Sequence, residues 1–344
     1  MAITRIGNPA IADVREPNFR NIIINGDMSL AQRGTSETGL GNGDSGYHTC
    51  DRWRFSESGS PTYEFTMSQS TDAPSGQGFS NSLKYDCTTA DTALAADDAL
   101  RLEHRIEGQN LQYLKKGTSN AQKLTLSFWV KSNKTGTYTA EVFDNDNNRQ
   151  NPKTYTIDTA DTWEKKIITY DGDTTGALGN DNDNSFMVNF FLGAGSNWTS
   201  GTFSNGTWEA LVKANRVHSS QVNLADSTSN EWYVTGVQLE AGSVASDFEF
   251  LPVDVNLQRC QRYCNALMDY GDGSVTGNRL FSAQYSSGGF TRMSIPRMRI
   301  QPTLTYVISG GVIDTDYGSP DLIQLYDGSD AVFFIYDVLA EAEL

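Results

Sequence analysis

The chain has 344 residues, 38% of them hydrophobic and 20% charged, with a formal net charge of −16. That charge repels phosphate backbones and anionic headgroups alike, so neither nucleic acid nor a membrane surface is an expected partner. No stretch is apolar for long enough to span a bilayer, and no membrane insertion is expected.

Residues 1–19 read as an irregular arm, because Pro9 and Pro17 interrupt any helix and no periodic apolar face appears. The opening Met1–Gly7 lacks the apolar core of a signal peptide, which predicts assembly in the cytoplasm. From Phe19 the pattern is one of strands. Ile22-Ile23-Ile24 is β-branched and ends at the turn pair Asn25-Gly26. Further strands are predicted at Arg52–Ser56, Tyr63–Ser68, Ser82–Tyr85, Leu100–Ile106, Leu124–Lys131, Tyr138–Phe143, Thr154–Ile157, Trp163–Tyr170, Met187–Leu192 and Glu231–Leu239. Apolar residues alternate within them. Leu124, Leu126, Phe128 and Val130 share one face, as do Tyr138, Ala140 and Val142, and this is how antiparallel strands with one buried face read. With turns rich in Gly, Asn, Asp and Ser between them, residues 20–252 fit a jelly-roll β-sandwich.

Near Pro252 the texture shifts. Val253–Met268 reads as a helix, capped by Asp254, with Val255, Leu257, Cys260, Tyr263, Cys264 and Leu267 on one stripe. Strands follow at Leu280–Tyr285, Phe290–Ile295, Thr303–Ile308, Leu322–Leu325 and Ala331–Leu339. Residues 253–344 are therefore expected to form a short helix and a small β-rich C-terminal domain, making the whole chain all-β. Cys50, Cys87, Cys260 and Cys264 form no CxxC or Cys/His cluster, and the expectation is reduced, packed thiols.

Several blocks resemble a known group. Asn21–Met28, then Gln32-Arg33-Gly34 and Asp51-Arg52-Trp53, resemble the opening of bacteriophage virion proteins built on a carbohydrate-binding-module jelly roll. Lys123–Ser132 resembles a central strand of that group, and Trp232–Gly242 with Phe248-Glu249 its closing strand. Cys260–Tyr263 resembles the tract leading into a C-terminal region. The resemblance implies a structural protein of a tailed phage, of the tail fibre or tail protein type. It places the chain on the virion surface, on tail or capsid, after assembly in the host cytoplasm.

Against that background, sugar recognition calls for an aromatic face together with amide and carboxylate partners for hydroxyls. Trp198 and Trp208 lie in a stretch rich in Asn, Ser and Gly, and Tyr47 and His48 lie in a Gly/Asp/Ser loop. These four are the glycan-binding candidates, and the alternative is that their rings fold back as lids over the sandwich ends. Trp53, Trp129, Trp163 and Trp232 fall inside strand patterns and read as packing residues, although Trp129 is out of phase with its apolar neighbours and is placed to face outward. Asp144–Asn148 and Asp181–Ser185 cluster hard oxygens, making Asp181 and Asp183 the candidate ligands of a structural Ca²⁺. Neither loop is an EF-hand, since Arg149 and Phe186 stand where glycine is needed, and polar turns are the alternative. No other cofactor is expected.

His48, His104 and His218 lie in no nucleophile or metal motif, and the Glu103/Glu107 pair carries little information among 42 acidic residues. No enzyme is expected. Small β-rich units have exposed edges and limited cores, so residues 253–344 are expected to hold a homotrimer. The arm 1–19 is expected to meet other virion proteins. The leading reading is a fibre or spike subunit that binds host polysaccharide. The alternatives are a structural decoration or adaptor protein without a receptor role, and a polysaccharide depolymerase.

Overall fold

The computed structural model describes residues 19–267, 281–284, 289–309, 315–327 and 332–344. The expected arm, apart from Phe19, lies outside the described residues.

Two antiparallel sheets form a sandwich. The first contains β1 (Ser36–Leu40), β4 (Glu64–Ser70), β5 (Ser82–Thr89), β13 (Glu231–Ala241), β7 (Leu124–Ser132) and β10 (Glu164–Tyr170), paired in that order. The second runs β12 (Glu209–Ala210), β9 (Arg149–Ile157), β8 (Gly136–Asp144), β11 (Asn184–Ala194), β6 (Ala99–Glu107), β3 (Trp53–Ser58) and β2 (Gly46–Tyr47). The all-β jelly-roll sandwich expected from the alternating pattern is therefore the observed fold.

Period-two burial explains the core. Leu126, Phe128 and Val130 of β7 are fully buried, while Trp129 and Lys131 on the opposite face are not. Rings then interlock between the sheets. Phe55 of β3 stacks on Tyr85 of β5 at 5.5 Å, and Phe128 of β7 meets Phe190 of β11 edge to face at 5.0 Å. Such geometries add to the gain from burying the rings themselves. All four cysteines are buried free thiols.

The Ile22–Ile24 segment is not a strand. Asn21 holds it along β13: its side-chain oxygen accepts from the Ile23 and Leu239 amides at 3.0 and 3.1 Å, and its side-chain amide donates to the Val237 carbonyl at 3.1 Å. A Cβ at Gly26 would come within 2.1 Å of the Val237 carbonyl oxygen, so only glycine lets the two backbones meet. The Ile22 amide still donates to the Leu239 carbonyl at 2.9 Å, but Asn21 takes the Leu239 amide and the Val237 carbonyl, so the segment follows β13 without a full ladder.

The expected helix is shorter than predicted. α2 spans Val253–Gln261, begins at Pro252 without a side-chain cap, and leaves Asp254 within its first turn. Cys264 instead opens β14 (Cys264–Leu267), which pairs with β20 (Val332–Glu341). β20 also pairs with β15 (Phe281–Gln284) and β17 (Thr303–Ser309), while β16 (Gly289–Ser294), β19 (Leu322–Asp327) and β18 (Thr315–Ser319) form a separate three-stranded sheet.

Charged pairs tie this region to the sandwich. Arg33 reaches Glu341 at 2.7 Å and Glu343 at 3.0 Å, and Arg52 pairs with Glu343. Arg262 makes two 2.8 Å bonds to Glu107, and the Arg52 guanidinium lies 3.5 Å from the centre of the Tyr263 ring.

Candidate glycan site on the six-stranded sheet

The outward residues of β7, β10 and β13 form two adjacent rows. In one, Trp129 pairs with Lys165 on β10 and Thr235 on β13. In the next, Lys131 pairs with Tyr233, and Trp163 stands beside them just before β10.

The second row satisfies itself. Lys131 lies over Tyr233 at 4.3 Å and forms an ion pair with Asp72. The Trp163 indole donates to Asp72 at 3.0 Å, and the Tyr233 hydroxyl donates to Glu231 at 2.6 Å. Burial, and then the Glu231 carboxylate, push that hydroxyl up to about 12. These groups have little left to offer a ligand.

The first row is different. Trp129 lines a cavity of about 350 Å³ together with Phe79, Phe248 and Phe250. The three phenylalanines pack on one another at 4.8 to 5.1 Å, and Phe250 remains half exposed. Their seat is a bulge in β13, where the register with β7 shifts between Thr235 and Gln238. Gly236 sits in the bulge at φ +62°, and a Cβ there would come within 2.5 Å of the Phe79 ring. Glycine thus supplies both the left-handed conformation and the room for Phe79.

Gln77, Lys165 and Asp247 rim the cavity. None of their side-chain polar groups has a partner among the described residues. An amide, an ammonium and a carboxylate around a nest of rings can stack the apolar face of a pyranose and bond its hydroxyls.

The residues singled out in the sequence sit elsewhere. Trp198 lies in the short helix α1 (Ser196–Thr199) and is only 5% exposed. Its indole donates to the Asp97 carbonyl at 2.9 Å, and the Phe191, Arg101, Arg216 and Lys213 side chains lie around its ring. It is a lid over the outer face of the seven-stranded sheet, not the expected exposed platform. Trp208 is half-buried, packed near Phe186 and Lys116, and donates to the Asp171 carbonyl at 2.7 Å. Tyr47 lies near both Arg33 and Arg52 and donates to the Leu344 carbonyl at 3.3 Å, so it belongs to the junction with the C-terminal region. His48 pairs with the Asp44 carbonyl at 2.9 Å and packs on the edge of Phe55. The four candidates do not converge.

Asp181 and Asp183 are exposed, and Asp181 accepts from the Asp183 amide at 3.1 Å, closing a polar turn. The loop between them engages the C-terminal region, since Arg299 donates to the Asn182 carbonyl at 2.8 Å. In the other acidic loop, Asp144 is buried and paired with Lys116. Among the described residues, no cluster of three His, Cys, Asp or Glu could hold a metal.

The outer face of the seven-stranded sheet carries a cross-strand row of Arg54, Glu103, Asn189 and Glu141. Burial raises the Glu103 carboxyl, but Arg101, Arg105, Arg54 and the Ser56 hydroxyl outweigh it and hold the group at about 2. Glu141 takes two bonds from Arg216, at 2.9 and 2.6 Å, and one from Asn189 at 2.8 Å. These carboxylates are neutralised by guanidinium groups and lie beneath Trp198 and Arg216. A glycosidic general acid needs the opposite of Glu103, a carboxyl that keeps its proton near neutral pH.

Trp129 was the legible part of the site, through its phase. The phenylalanines were not, because nothing local brings Phe79 to Phe248 and Phe250 across the sheet.

No family model matches the chain, and no curated protein matches it. Solved structures resemble it in fold. The enzymatically active domain of tailspike protein 4 from bacteriophage CBA120 is matched over 65% of this chain and 22% of its own length, at 13% identity and a TM-score of 0.35. The family 11 carbohydrate-binding module from Clostridium thermocellum, in complex with a β-1,3-1,4-mixed-linked tetrasaccharide, is matched over 62% of this chain and 99% of its own, at 12% identity and a TM-score of 0.29. TmCBM61, in complex with β-1,4-galactotriose, is matched over 64% and 99%, at 9% identity and a TM-score of 0.29. The chain thus spans less than a quarter of the tailspike domain.

Proposed function

We propose that this chain is a non-catalytic glycan-binding subunit of a bacteriophage particle, a fibre or spike component displayed on the virion surface as a homotrimer. The observation that carries the reading is the Trp129 cavity, where four aromatic rings meet three polar head groups that have no partner among the described residues. The blocks resembling phage virion proteins support the particle. The depressed Glu103 carboxyl, unsuited to a general acid, supports binding without cleavage. Residues 253–344 hold the trimer and residues 1–19 attach it to other virion proteins. Single weak sites then act together on a host polysaccharide through avidity.

The test is affinity electrophoresis of the full chain in gels containing host surface polysaccharide. Trp129→Ala and Phe250→Ala should each weaken binding by about tenfold to a hundredfold, as removal of an aromatic anchor does. Trp198→Ala, if folded by circular dichroism, should bind as wild type. Wild-type affinity in both pocket variants would place the glycan elsewhere. A chain that binds no host polysaccharide at all would instead fit a structural decoration or adaptor subunit.

A further inference from the structure

We propose a second binding site, for a carboxylate-bearing sugar, in the cavity where α2 packs against the end of β6. It goes beyond the Trp129 reading and does not depend on it. The cavity is about 630 Å³, close to twice the volume at Trp129, and sits on an apolar floor of Ile22, Ile24 and Ile106. Tyr113 and Phe19 form aromatic walls, and Arg259 projects from α2.

Arg259 sets the specificity. The neighbouring guanidinium groups are already neutralised: Arg262 by Glu107, and Arg105 by Glu103 together with the Leu344 carbonyl at 2.8 Å. Arg259 makes no ion pair with any described carboxylate. It donates only to the Asn21 carbonyl at 3.3 Å and stacks on Phe19 at 5.6 Å. Glu249 acts on Arg259 through space but accepts from the Asn21 backbone amide and forms no ion pair with it, so the half-buried guanidinium keeps its fork open to an anion in a chain with 42 acidic and 26 basic side chains. Burial lowers its affinity for its own proton, and Glu249 offsets that only in part.

The ligand is defined by the surroundings. A planar carboxylate matches the guanidinium fork. The Tyr113 ring can take the apolar face of the attached sugar. The exposed Asn110 amide, which has no side-chain partner among the described residues, can take its hydroxyls. A uronic acid residue within a polysaccharide has all three features.

The test is isothermal titration of the full chain with three probes: tetragalacturonate, tetramannuronate and a hyaluronan tetrasaccharide. Each is compared with its counterpart in which the carboxyl is reduced to the alcohol. At least one acid should bind, and its reduced form should bind at least about tenfold more weakly, the scale of a lost charge-assisted bond. Arg259→Gln should cost a similar factor, Arg259→Lys less, and Tyr113→Ala should weaken binding without touching a charge. Trp129→Ala should leave this binding unchanged, which separates the two sites. Failure of all three acids to bind overturns the proposal, and so does binding that survives either carboxyl reduction or Arg259→Gln. A glutamate-rich peptide that outcompetes every oligouronate would assign the cavity to a protein partner, and would overturn it too.

Discussion

Glu343 offers a sharp test of how the C-terminal region is fixed to the sandwich. Its partner Arg52 is fully buried: one guanidinium nitrogen meets Glu343, the other donates to the Arg105 carbonyl at 2.6 Å, and the plane rests 3.5 Å from the centre of the Tyr263 ring. Glu343→Gln keeps the shape and removes the charge. Arg33 would still hold Glu341 at 2.7 Å and Asp51 at 3.8 Å, but Arg52 would keep no carboxylate partner. Leaving one buried charge uncompensated costs about 3 kcal/mol or more. For a chain of 344 residues that corresponds to a fall in melting temperature of roughly 4 °C or more by calorimetry. Adding Arg52→Met removes the orphaned charge and should restore much of the loss, because a buried pair is worth little against well-packed apolar groups. A Glu343→Gln protein that melts within about 2 °C of wild type would refute the reasoning. So would a double variant no more stable than the single one.

Three further outcomes are expected. The depressed Glu103 carboxyl contributes stability that is fully present above its unfolded value near 4.5 and is lost as pH falls toward about 2, so urea midpoints should drop across that window; in Glu103→Gln this part of the drop should vanish. Gly236→Ala forces a side chain into the left-handed region and into Phe79, so it should cost about 1 kcal/mol or more and weaken polysaccharide binding more than Gly193→Ala, on the other sheet. Cys50 and Cys260 are buried and their thiols pushed up by burial, so the native chain should resist iodoacetamide at pH 8 and react fully once unfolded; rapid native labelling of either would contradict their packing.

The sandwich was legible because burial on one face leaves a period-two trace. The β7 and β8 sequences carry it, and their observed bounds lie within a few residues of those predicted. Failures came where long-range bonds override local preference. Ile22–Ile24 has strand composition, yet Asn21 uses the β13 backbone positions that a strand would need. Cys264 continues a helical stripe, yet its backbone pairs with Glu341, some 77 positions later, and ends the helix. The polar stretch around Trp198 predicts exposure, but composition does not reveal that Asp97 and Phe191 wait beneath the ring.

The same distinction separates architecture from recognition. The blocks that carry the phage resemblance meet at two seams. Asn21 and Gly26 lie against Val237 and Leu239, and Glu249 accepts from the Asn21 amide at 2.9 Å. Gln32 bonds both Asp51, at 2.7 Å, and the Cys264 carbonyl, at 2.7 Å, beside the contact of Arg52 with Tyr263. Those residues close the sandwich and couple it to the C-terminal strands. The cavity on the six-stranded sheet takes its floor, Ser127, Trp129 and Gly236, and also Phe248 from these blocks, but the rings Phe79 and Phe250 and the head groups Gln77, Lys165 and Asp247 from outside them. A chain sharing every one of the blocks could therefore keep this fold and its C-terminal coupling while presenting different rings and head groups to a different glycan. Exchanging residues 76–79 and 247–250 for those of such a chain should transfer polysaccharide preference with little loss of thermal stability, whereas Asn21→Ala, which removes three bonds to the seam, should lower stability and leave preference alone.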